Sequence, residues 1–144
     1  MSERVLSILL SELGSLLGIE SLCTDQDGLC QLVFDRRHVV HLMGHPRGYL
    51  LISCRIAVQS GHPTPDAVFL RANYAQAAGG IVLARTPEGH PCAQVAVELS
   101  SARAHDVLEL LDKLIVEAER WERHLQSAQD SPDGPRMTHM RGIV

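Results

Sequence analysis

Eight histidines and four cysteines are the residues of this 144-residue chain whose types suggest metal or nucleophile chemistry. His38, His41 and His45 are the tightest histidine group. The apolar residues around them alternate as on a strand, where an odd spacing sends side chains to opposite faces, so His38 and His41 do not converge on one ion. His45 stands beyond them, beside Pro46 in a turn. A zinc site needs converging ligands, and no such spacing is present. The histidines therefore read as parts of solvated turns and strand faces. Asp25-Gln26-Asp27-Gly28 lacks the later oxygen ligands of a calcium loop and reads as a turn. Cys23, Cys30, Cys54 and Cys92 form no Cys-x-x-Cys pair, and Cys30 and Cys54 lie in apolar runs, which predicts buried free thiols. Neither Cys54 nor Cys92 has an activating base nearby in sequence. There is no G-x-S-x-G elbow and no phosphate-binding loop. Gly79-Gly80 reads as a helix stop running into a strand. No catalytic residue, metal or cofactor is expected.

Composition points the same way. Apolar residues make up 45% of the chain and charged residues 21%, enough for one domain with a real core. Thirteen Lys and Arg against 17 Asp and Glu give a net charge of −4, the wrong balance for a nucleic-acid binder. Aromatics at 3% supply no stacking platform for single strands. No apolar run approaches the roughly 20 residues that span a bilayer, and the N-terminus lacks the features of a signal peptide. The chain reads as cytosolic, without membrane insertion.

The elements that would carry any site follow from periodicity. From about Ser2 to Leu17, Val5, Leu6, Leu9, Leu10, Leu13, Leu16 and Leu17 fill an arc of roughly 140° on a helical wheel, with Gly18 as the stop. Three alternating segments come next, at Gly28–Asp35, His38–Met43 and Tyr49–Val58, and their short connections predict antiparallel strands. Thr64-Pro65-Asp66 starts a second helix, running to about Ala77. Strands at Ile81–Arg85 and Pro91–Leu99 flank the turn Thr86-Pro87-Glu88-Gly89. A long helix covers about Ser101–Gln126, with Val107, Leu108, Leu110, Leu111, Leu114, Ile115, Ala118 and Trp121 on its apolar face. The Pro- and Gly-bearing stretch after it predicts a disordered tail. The expectation is an α+β domain over 1–126, with a five-stranded antiparallel sheet in the order α-βββ-α-ββ-α, and a tail over 127–144.

The apolar pattern exceeds what one core needs. Leu29, Val33, Val39, Met43 and Leu51 fall opposite the strong inward set Cys30, Leu32 and Phe34. If helices cover only one face, these residues form an exposed apolar patch, the mark of an interface.

In this setting several segments are similar to those of the class I type III secretion chaperones, the Tir-chaperone (CesT-like) family. They are Leu9-Leu10-Ser11-Glu12-Leu13-Gly14 with Leu17-Gly18-Ile19 and Leu22, then Asp27 through Asp35. Leu70-Arg71-Ala72-Asn73-Tyr74, Gly79 through Leu83, and Glu117-Ala118-Glu119-Arg120-Trp121 follow in the same order, so that the resemblance covers about residues 3 to 125. It implies a small bacterial, cytoplasmic homodimer without enzymatic activity. Such a protein binds the N-terminal chaperone-binding segment of a secreted effector, keeps it secretion-competent and hands it to the secretion ATPase. An extended segment of this kind can add a strand to a sheet edge and set apolar anchors in grooves.

On this reading the expected effector-binding residues are Leu6, Leu10, Leu13 and Leu17 on the first helix, with Leu29, Val33, Val39, Met43 and Leu51 on the sheet. The expected dimer contact is the second helix, through Ala67, Val68, Leu70, Ala72, Ala75 and Ala78. The competing readings are a small ligand-binding or enzymatic α+β domain, which needs a polar pocket with converging titratable groups, and a dimeric adaptor for a folded partner.

Overall fold

The computed structural model describes residues 2–58, 66–76 and 80–130. Helix α1 (Ser2–Leu17) precedes strands β1 (Leu29–Phe34), β2 (His38–Gly44) and β3 (Tyr49–Arg55). Helix α2 (Asp66–Gln76), strands β4 (Val82–Arg85) and β5 (Pro91–Glu98), and helix α3 (Ala104–Asp130) complete the chain. The element order is the one the sequence predicts. The predicted Thr64-Pro65 helix start lies outside the described residues. Helix α3 extends four residues past the expected end at Gln126, into the start of the segment assigned to a tail; residues 131–144 lie outside the described residues.

The five strands form one antiparallel sheet in the order β1-β2-β3-β5-β4. Tight turns explain the β1-β2-β3 meander. The β4–β5 hairpin joins it through β5, which pairs with β3 and leaves β1 and β4 as the edges. Period-two alternation then sorts the side chains. Cys30, Leu32, Val40, Leu42, Leu50, Ile52, Cys54, Ala93 and Val95 are buried on one face, beneath the apolar sides of α1 and α3. Leu6, Leu9, Leu10 and Leu13 of α1 and Val107, Leu111, Leu114 and Ala118 of α3 close that core.

Helix α1 ends as predicted. The Ile19 N–H reaches back to the Gly14 carbonyl at 2.8 Å, and Gly18 takes the left-handed φ of 74° that a side chain would oppose. Gly14 is glycine for a different reason, since a Cβ there would lie 2.7 Å from the Ile19 carbonyl oxygen.

A polar clamp fastens α3 to the far end of the sheet. Glu122 is buried; it accepts a hydrogen bond from the Arg37 guanidinium in the β1–β2 turn and another, at 3.1 Å, from the Ala57 N–H after β3. One turn earlier, Glu119 lies 3.0 Å from Nε2 of His38. His38 is only 1% exposed, which corrects the expectation of a solvated histidine. It shares strand parity with Val40 and Leu42, so the inward face claims it, and a helix carboxylate meets its ring. His41 points to the other face and pairs with Gln31 at 2.9 Å. The two rings lie on opposite faces, as their odd spacing requires.

Candidate functional site

The helices α1 and α3 cover one face of the sheet, and the opposite face carries a second apolar set. Strand register lines it up. Leu29 pairs with Met43, Met43 with Leu51, and Leu51 with Ala96, one row across four strands. Val33 pairs with Val39 in a second row. Val33 is 54% exposed and Met43 39%, while Leu29, Val39 and Leu51 are half-buried. Between the rows, Gln31 and His41 bond to each other, so the surface is apolar with one polar cross-strand pair. All five sheet residues proposed from alternation thus share one face with solvent access.

The first helix needs a correction. Leu6, Leu10 and Leu13 are core residues, and Leu17 is half-buried against them. The wide apolar arc straddles the contact with α3 and the sheet, and its other margin is the one left uncovered. Val5, Ile8 and Leu16, with Ile19 just past the helix, are the exposed apolar residues there. Ile8 stands outside the arc that the leucines define, so the wheel argument passed over it.

On α2 the expected contact residues also divide. Ala67 and Leu70 are exposed and Val68 is half-buried. Ala72 is buried with Phe69 in this chain's own core, which corrects its assignment to an intermolecular contact. Ala78 lies outside the described residues, as does the side chain of Ala75. Tyr74, 88% exposed, shares the open side with Leu70, 71% exposed, at the i, i+4 spacing of helix neighbours. That spacing was the available signal for Tyr74.

A cleft of about 560 Å³ opens at the start of β1, between α1, the loop 23–28 and the β2–β3 turn. Its floor includes Leu6 and Leu10, and Glu3, Asp25, Asp27, Cys23 and His45 stand around it. The acids of this wall are exposed, and Oδ1 of Asp25 is taken up by the N–H groups of Asp27 and Leu29. The wall thus presents exposed acids, one of them already hydrogen-bonded to main-chain N–H groups, and no buried charge-coupled pair. Cys30, Cys54 and Cys92 are buried. Burial pushes all three thiols up, Cys54 to about 12 with Glu122 adding to the effect, which withholds the thiolate a nucleophile requires. No group of His, Cys, Asp and Glu able to hold a metal ion occurs among the described residues. No described helix is long and apolar enough to cross a membrane.

Solved structures share this architecture. A chain of the ExsC–ExsE complex superposes with a TM-score of 0.75 at 20% identity, covering 88% of this chain and 97% of that one. A chain of the HopA1–SchA chaperone–effector complex gives 0.67 at 18%, covering 89% and 98%. The Yersinia pestis type III secretion chaperone SycH, in complex with a stable fragment of YscM2, gives 0.63 at 23%, covering 79% and 97%. The fold is that of the type III secretion chaperones. A comparison with curated protein sequences gives no match. The Tir chaperone protein (CesT) family, however, matches residues 8–122, and the chain belongs to that family.

Proposed function

We propose that this chaperone captures the N-terminal chaperone-binding segment of a secreted effector as an extended chain, laid along β1 and over the outer face of the sheet. The observation that carries the reading is the aligned apolar row Leu29–Met43–Leu51 with Val33–Val39 beside it, open to solvent and reaching the edge strand β1. An extended segment gains main-chain bonds at such an edge and sets alternate side chains onto such a face. Val5, Ile8, Leu16 and Ile19 offer a second apolar strip for a later part of the same client. Ordering a long segment costs conformational entropy, so a large contact area is required.

The working form is a homodimer in the bacterial cytoplasm, joined through the open side of α2 at Ala67, Leu70 and Tyr74. A two-fold interface shows the same patch twice and doubles the client surface. The task is binding rather than catalysis, and it ends in delivery of the client to the secretion ATPase. Co-expression with the N-terminal segment of a candidate effector, followed by limited proteolysis of the purified complex, tests the reading. The expected result is a protected effector fragment that is digested readily when alone. A partner that binds only as an intact folded domain overturns it in favour of an adaptor.

A further inference from the structure

Strand β4 is an edge of the sheet and only four residues long. An uncovered edge strand offers unpaired main-chain groups to any other strand. At the middle of β4 those groups are already taken. The Leu83 N–H donates to Oδ1 of Asn73 at 2.6 Å, and Nδ2 of Asn73 donates to the Leu83 carbonyl at 2.9 Å. One donor and one acceptor facing one residue's N–H and C=O reproduce the exchange that a neighbouring antiparallel strand would make. Asn73 lies within α2, where asparagine is a poor helix former. A local preference is thus set aside for a contact made elsewhere. The helix is held in place beside β4 by Arg85, whose guanidinium bonds Asp66 at 3.0 Å and lies 4.5 Å from the centre of the Phe69 ring.

The other edge differs. At the start of β1, Leu29 is closed off by Asp25: its N–H donates to Oδ1 at 3.0 Å and its carbonyl accepts the Asp25 N–H at 2.8 Å. Antiparallel alternation places the main-chain groups of Gln31 and Val33 on that same outward side. Among the described residues nothing bonds to them there. We infer that Asn73 guards the β4 edge by occupying the outward main-chain groups of Leu83 at its middle, so that a strand added to this sheet joins at β1. The use of β1 by a client rests on the function proposed above, whereas the closure of β4 is independent of it.

Amide hydrogen exchange and sedimentation velocity on the full chain, wild type against Asn73→Ala and Asn73→Asp, test the guard. In the wild type, the Leu83 amide exchanges slowly despite its edge position. In Asn73→Ala it exchanges at least about tenfold faster while Val82 and Ala84, bonded to β5, keep their protection. New species larger than the wild-type assembly then appear as concentration rises. Asn73→Asp retains the acceptor for the Leu83 N–H but sets a carboxylate oxygen where Nδ2 met the Leu83 carbonyl, so that amide exchanges at a rate between those of the wild type and Asn73→Ala, with weaker new association than in Asn73→Ala. Free exchange of Leu83 in the wild type overturns the inference. So does an Asn73→Ala protein with Leu83 exposed and no new association. If Asn73→Ala loses protection throughout the sheet, Asn73→Asp decides, and a folded Asn73→Asp with a fast Leu83 amide and no new association also overturns it. Failure of every effector segment to bind strikes the proposed function and leaves these readouts unchanged.

Discussion

Nε2 of His38 and Oε2 of Glu119 lie 3.0 Å apart although 81 residues separate them in the chain. The acceptor fixes the tautomer, with the hydrogen on Nε2. Three residues further along α3, Glu122 takes the Arg37 guanidinium and the Ala57 N–H. Two separate pieces of the sheet end, the adjacent Arg37 and His38 and the segment after β3, are therefore tied to one helix.

This clamp is unequal in its parts. Arg37 is largely exposed, so its ion pair is screened, whereas the Ala57 N–H is bonded to a buried carboxylate. Glu122→Ala should cost about 1–3 kcal/mol by leaving that donor unpaired. Arg37→Ala should cost less than about 1 kcal/mol. Urea unfolding of both variants checks the order, and an equal loss would transfer the stabilisation to the ion pair.

Much of this was written in the sequence, because period-two alternation is a strong signal where one face is buried. It sorted Cys30, Leu32, Val40, Leu42, Leu50, Ile52 and Cys54 from Leu29, Val33, Val39, Met43 and Leu51. The same alternation placed His38 inward, but a histidine among apolar neighbours was read by its type and not by its parity. Helix α1 was ambiguous for a physical reason. Both margins of its arc are apolar, and which one is covered depends on where α3 crosses, a tertiary fact that no wheel contains. Asn73 gave only the weak local signal of a poor helix former inside a helix, since its partner Leu83 lies ten residues on in another element.

The open side of α2 supplies a prediction about assembly. Leu70→Glu or Tyr74→Glu should leave the fold intact, because both side chains are exposed, and should shift the proposed dimer to monomer. Ala72→Glu should instead unfold the chain by burying an unpaired charge in its own core. Light scattering with circular dichroism separates the outcomes. A wild type that is monomeric at micromolar concentration removes the dimer.

The thiols predict a pH dependence. Only Cys23 is exposed, so the native protein should react rapidly with a disulfide reagent at one of its four cysteines. The Cys54 thiol ionises near 9.0 when unfolded and is pushed up to about 12 in the fold. Above pH 9 the unfolded chain binds fewer protons than the native one, so the contribution is whole below pH 9 and is lost as pH rises toward 12. Cys30 and Cys92 shift in the same direction. Cys54→Ala should flatten the fall of the urea midpoint between pH 9 and pH 11 relative to the wild type. An unchanged slope would show that the native thiol ionises normally.

The outer face gives the sharpest test of function. Val33→Asp and Met43→Asp place a charge at positions with ready access to water, so both proteins should fold with stability within about 1 kcal/mol of the wild type. A carboxylate in the middle of an apolar row must be desolvated when a client covers it, so capture of the effector segment should fall at least about tenfold. Leu42→Asp, one residue before Met43 but on the covered face, is the control and should not fold. Ile8→Asp and Leu16→Asp ask the same of the exposed margin of α1, and Leu13→Ala, in the core, should cost about 2–5 kcal/mol instead. Pull-down and circular dichroism on this set sort surface from core. If the Val33 and Met43 variants fold and bind a client normally, the sheet face is not the site, and a loss confined to the Ile8 and Leu16 variants would move client binding to the helix.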